Sequence, residues 1–337
     1  MHKNIKESKK LNLGIELLRT LLCFWIVLFH CSNYKKQHTK YIWRLFHVPT
    51  FFVISFYFYY PILFKKMINK NISRFQRLLI PYILWPVLIF IANKVKIKNI
   101  FLGQLDKKIS LKELAIQILL GKGFHGVFWF QFNLIFISLL FSIISFSLKN
   151  NILPILHFLS LICLYLHFSG KSYFFFMYTR YKSSLGTLIE LMPLSVIGCI
   201  YCSLNLIVKA NYLPLYFRII LFILIHFLFE YDIFILPLGF RYPNVILYIL
   251  ASTILILSFG SLNFDYRILY SLIYNITKYT GGIYYIHTVV RDYLLKYIFF
   301  FKKRTYFSSL VIYFFSYGIC FTGCNLFKKQ KLKYLFI

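Results

Sequence analysis

The 337-residue chain is 60% hydrophobic with a mean hydropathy of +0.69, well above the ~45–50% apolar content of soluble domains, which excludes a soluble globular protein and makes the bilayer the solvent. A formal net charge of +30, from 39 Lys and Arg against nine Asp and Glu, would suit nucleic acid. The basic residues are scattered through connectors rather than striped along one polar face, so membrane lipids with anionic headgroups are the expected partner and nucleic acid is not.

A spanning helix needs ~20 mainly apolar residues. On that scale the chain predicts an all-α, polytopic integral membrane protein of about ten transmembrane helices, one domain over 1–337 with short basic tails at 1–11 and 328–337. The predicted spans are 12–31, 42–64, 77–94, 126–148, 152–169, 185–208, 214–235, 243–260, 280–300 and 306–327. The first run contains Glu16 and Arg19 and lacks a small-residue cleavage site, so it reads as a retained helix rather than a signal peptide. Between 214 and 260, Glu230, Asp232, Pro237 and Pro243 interrupt the apolar pattern, which fits two helices or three.

An even number of spans puts both termini on one side. The Lys clusters at 3–10 and 328–333 favour the cytosol for both, and would make the segment 65–77, with Lys65, Lys66, Lys70, Arg74 and Arg77, cytosolic as well. The connector 95–125 carries six Lys yet faces outward in that topology. Its amphipathic stretch LKELAIQILL at 111–120 is expected to lie along the interface.

All seven cysteines lie in or beside apolar runs, including the Cys199–Cys202 pair, so they read as packing residues rather than disulfides or zinc ligands. His38, His47, His125, His157, His167 and His226 show no ligand-like grouping, and no metal is expected.

Ionisable residues inside membrane spans are costly and mark function by default. Glu16, Arg19 and His30 share one stripe of the first span, because eleven residues at ~100° each return His30 to within ~20° of Arg19. A rise of ~1.5 Å per residue separates the two by ~16 Å, so they cannot touch. Taken alone, the stripe also fits a structural Glu16–Arg19 ion pair with His30 capping the helix end. His287 has Tyr284 at i−3 and Arg291 at i+4, so the three can share a face. Glu190 is a further intramembrane acid that can pair with Arg180 or orient His30.

Arg19, ten intervening residues and His30 resemble the first-helix signature of the acyltransferase family 3 membrane proteins. VPTFFVIS at 48–55 is similar to that family's Phe-Phe-x-x-Ser-Gly, and SRFQRLLIPYILW at 73–85 to its Arg-x-x-Arg followed by Pro-Tyr. GVFWFQFNLI at 126–135 and GGIYYIHTVV at 281–290 resemble its middle helices and its late Gly-x-Tyr-x-x-His helix. Phe56 stands where the family has Gly, which makes a close backbone approach at that point harder.

The resemblance implies an integral membrane O-acyltransferase of a bacterial inner or plasma membrane. Its donor would be acetyl-CoA and its acceptor a hydroxyl of a glycan or lipid-linked saccharide, as in polysaccharide O-acetylation. His30 is then the base, a role that suits a near-neutral imidazole, with Arg19 and Glu16 beside it in the first helix. Arg19, Arg74 and Arg77 would hold the donor phosphates through bidentate guanidinium bonds. Ser55, Glu190, Tyr284 and His287 are expected near the substrate. A transporter or channel using Glu16, Arg19, Glu190 and His287 as an ion or proton pathway is the competing reading, although no inverted repeat is evident.

Overall fold

The computed structural model describes residues 12–31, 46–94, 110–121, 128–148, 152–169, 186–206, 214–235, 245–262, 267–297 and 306–337. The basic stretch 1–10, most of the connector 95–125, His38, His125 and Arg180 lie outside the described residues. Among those described, every regular element is helical: α1 Leu13–Cys31, α2 His47–Phe64, α3 Ile68–Lys94, α4 Leu111–Leu119, α5 Phe128–Ser147, α6 Leu153–Phe168, α7 Gly186–Ser203, α8 Leu215–Ile235, α9 Val245–Gly260, α10 Arg267–Thr277, α11 Thr280–Tyr297 and α12 Tyr306–Leu326, followed by a 3-10 turn at Lys331–Leu335. α1, α2, α3, α5 and α12 are long and apolar enough to cross a membrane, and α6, α7, α8 and α9 contain shorter apolar stretches. The chain is a polytopic helical membrane protein. Among the described residues of the stretch 214–260 there are two helices, α8 and α9.

Two helices form the hub. α1 packs against α2, α9, α10, α11 and α12, and α2 packs against α1, α3, α5, α7 and α9. α1 is fixed at its start by Asn12, whose Oδ1 accepts the Ile15 amide at 3.0 Å and whose Nδ2 donates to the Gly260 carbonyl at 2.8 Å. With no hydrophobic force between helices in lipid, close association rests on packing and interhelical hydrogen bonds. Gly14 serves that purpose against the Phe259 carbonyl, leaving no room for a Cβ.

The pairing of α2 with α7 depends on a second glycine. A Cβ at Gly198 would meet the Val53 carbonyl and lie 2.9 Å from the Tyr57 amide nitrogen and 3.1 Å from the Phe56 Cβ. The close approach expected to need a glycine at position 56 therefore occurs here with the glycine on the opposite helix. Phe56 itself is helical and fully buried, packed on Phe52, Tyr59 and Phe141 with ring centroids 6.4, 5.9 and 5.0 Å away. Alanine at Gly198 should destabilise the protein by about 1–3 kcal/mol, the usual cost of overpacking, measured as a lower midpoint of thermal unfolding in detergent.

Two elements correct the sequence expectation and a third agrees with it. α3 begins at Ile68, not 77, because only Lys65, Lys66 and Met67 form the turn, with Lys66 in the left-handed region at φ 47°. Lys70 and Ser73 then occupy exposed positions of a helix whose buried face starts with Asn71. α10 was absent from the expected spans. Its polar residues are interleaved with apolar ones over only 11 residues, which defeats a search for long apolar runs. α4 spans Leu111–Leu119 as the amphipathic reading expects, started by a reciprocal Ser110–Glu113 capping box.

Candidate functional site

α1 and α11 run parallel and in register. The hydroxyl of Thr20 shares a hydrogen bond at 2.8 Å with that of Thr277, the last residue of α10, and the Cys23 thiol faces the carbonyl of Thr280, the first residue of α11, at 3.5 Å. Seven residues further along both helices, the imidazoles of His30 and His287 meet with ring centroids 5.2 Å apart. Arg291 Nη1 donates to the His30 carbonyl at 3.0 Å, and its Nη2 pairs with Asp292 Oδ1 at 2.6 Å. Tyr284 lies 6.1 Å from the His287 ring. His30 and His287 thus meet at one level, with Tyr284 one turn before and Arg291 one turn after His287 on α11.

His287 is fully buried, and its Nδ1 is 3.1 Å from the Ile283 carbonyl. A carbonyl can only accept, so Nδ1 is the donor in this hydrogen bond. His47, at the start of α2, joins this level through Phe29, 6.0 Å from its ring.

The cationic residues occupy a second level. Arg19 Nη1 pairs with Glu16 Oε2 at 3.0 Å, the carboxylate being nearly buried and the guanidinium about one-third exposed. Eleven residues put Arg19 ~16 Å from His30 along α1. α2 starts beside the end of α1, so Ser55, eight residues below His47, lies ~12 Å beneath the histidines. Arg74 Nη2 donates to Ser55 Oγ at 2.9 Å and to Ser138 Oγ at 3.2 Å, and its guanidinium lies 4.1 Å from the centre of the Tyr59 ring. These partners are all neutral, which leaves the positive charge available to an anion.

Arg77 is separated from Arg74. It is exposed and its Nε reaches only the Ser73 carbonyl of its own helix at 3.4 Å. Glu190 is buried on α7 at 4% exposure, one turn beyond Thr187, whose hydroxyl accepts from Asn133 Nδ2 at 2.7 Å.

Sequence reasoning missed the polar cluster that seats Arg74. Tyr59 Oη lies 2.5 Å from Asn71 Oδ1 and 2.5 Å from Ser142 Oγ, and Ser142 Oγ lies 2.7 Å from the Ser138 carbonyl, so two hydroxyl protons serve three contacts. The signal was present in the spacing. Ser55 and Tyr59, Asn71 and Arg74, and Ser138 and Ser142 are pairs at i,i+3 or i,i+4 on three helices, so each pair shares a face.

Together these features describe a polytopic membrane protein with a polar, titratable interior: imidazoles at one level and guanidinium groups about half a bilayer below. Residues 12–328 match the acyltransferase family 3 model, described as an acyltransferase domain, and the chain belongs to that family. No curated protein and no solved structure matches the chain. It is therefore a membrane acyltransferase.

Proposed function

We propose that the protein is an O-acetyltransferase that moves acetyl from acetyl-CoA to a hydroxyl of a glycan or lipid-linked saccharide. The observation that carries this reading is the meeting of His30 and His287 on α1 and α11, above a half-buried guanidinium with neutral partners. His30 accepts the proton of the acceptor hydroxyl. The oxygen attacks the thioester carbonyl, a C–O bond forms, and the C–S bond breaks with the proton passing to the departing thiolate.

Arg74 supplies an unneutralised cation for a phosphate of the donor, with Arg77 at the exposed edge of the same helix. Arg19 joins them when its pair with Glu16 opens. Ser55 holds Arg74 in place, while Tyr284 and His287 line the acceptor side and Glu190 the α7 wall. With both termini cytosolic, the guanidinium level faces the compartment that contains acetyl-CoA.

The test incubates the purified protein with radiolabelled acetyl-CoA and a panel of saccharide acceptors. Arg74→Ala should raise the KM for acetyl-CoA by about tenfold, the worth of a charge-assisted hydrogen bond, whereas the acceptor KM should change little. A wild type that transfers acetyl to no acceptor and hydrolyses no donor would overturn the reading. Proton- or ion-coupled flux by the same protein in liposomes would support the transporter alternative.

A further inference from the structure

α11 carries two hydroxyls that the helix itself does not use. Ser and Thr inside helices commonly bond back to a carbonyl about one turn earlier. Thr277 does so to Ile273, Thr253 to Ile249, Ser195 to Leu191 and Ser316 to Ile312. Thr288 departs from this pattern. It is 4% exposed and its Oγ1 has no hydrogen-bond partner among the described residues, and the same holds for the hydroxyl of Tyr285, 5% exposed.

The direction of these groups follows from the helix. Ile283, Ile286, Val290 and Leu294 pack in the cluster that includes residues of α12, whereas Tyr284 and Tyr285 belong to the larger core built by α2, α5 and α7. Tyr284 meets Phe130 at 5.1 Å and Tyr285 meets Phe128 at 5.8 Å, both on α5. At ~100° per residue, Thr288 falls in angle between Tyr284 and Tyr285. Its hydroxyl therefore faces the α5 side of the bundle, away from α12. It is adjacent in sequence to His287, whose ring meets His30.

A buried hydroxyl without a partner is unfavourable. Two of them, one turn apart on one face and beside the histidine pair, suit a site completed by a polar ligand. We propose that Tyr285 and Thr288 bind the acceptor by hydrogen-bonding the hydroxyls next to the one acylated, and so select a polyhydroxylated acceptor over a simple alcohol. This rests on the acyl-transfer reading. Neither residue takes part in bond making or breaking.

The test compares kcat/KM with acetyl-CoA for two acceptors that share an eight-carbon chain, octyl glucoside and 1-octanol. A site built to hydrogen-bond hydroxyls discriminates strongly against a ligand that lacks them. Wild type is expected to favour the glucoside by about 100-fold or more. Thr288→Val and Tyr285→Phe should each reduce that ratio about tenfold, and Thr288→Ser should retain it. The ratio is independent of the fraction of active protein, so partial unfolding does not mimic the effect. An unchanged ratio in both Thr288→Val and Tyr285→Phe overturns the inference, as does a wild type that uses octanol as well as the glucoside. A wild type inert toward the glucoside yet active on another acceptor overturns this inference alone, whereas one that neither transfers acetyl to any acceptor nor hydrolyses acetyl-CoA sinks the acyl-transfer reading as well.

Discussion

Alanine at position 30 is expected to lower acetyl transfer by about 10²–10⁴-fold, the range a positioned general base supplies. The effect should fall on kcat, with the KM for acetyl-CoA moving little, because Arg74 and Arg19 lie a level below the imidazole. The substitution removes the ring while keeping the backbone carbonyl to which Arg291 donates, so the junction of α1 with α11 is retained. Single-turnover transfer of labelled acetyl gives the rate, and the thermal midpoint reports the fold. A variant within threefold of wild type would place the base elsewhere, and His287→Ala would then be the next measurement.

The second large effect concerns stability. Phe56→Ala should cost about 3 kcal/mol, at the lower end of the range for Phe deletions in packed cores. The ring is fully buried between Phe52, Tyr59 and Phe141, with the Arg74 guanidinium 5.6 Å from its centre. In lipid the loss is one of packing contacts and cavity formation rather than of transfer from water. Reversible unfolding in mixed detergent should show it as a lower midpoint, with Phe56→Leu less affected. Equal stability of Phe56→Ala and wild type would mean that neighbouring rings collapse into the vacated space.

Long apolar runs made most of the helices legible, since composition is what a span requires. The first-helix stripe was also readable, because helical periodicity alone puts Glu16, Arg19 and His30 on one face. What periodicity could not supply was the partner. The meeting of His30 with His287 depends on the parallel register of α1 and α11, set by contacts such as Cys23 with Thr280 across more than 250 residues. The start of α3 was misplaced because Lys70 and Arg74 resemble a connector when counted as charges. One of them is exposed, and the other folds inward onto Ser55 and Ser138. Arg74 and Arg77 looked alike by their spacing, yet the shape of α3 gives one a polar seat and leaves the other at the surface.

The glycine at position 198 has a consequence for how variation in such chains is to be interpreted. The clearance between α2 and α7 is a property of the pair, so the small residue that provides it can reside on either helix of the contact. A bulky side chain at position 56 is then no sign of decay: its tolerance is contingent on what faces it. A Cβ added at 198 meets the Val53 carbonyl whatever side chain stands at 56, so glycine at 198 stays necessary even when position 56 is made small.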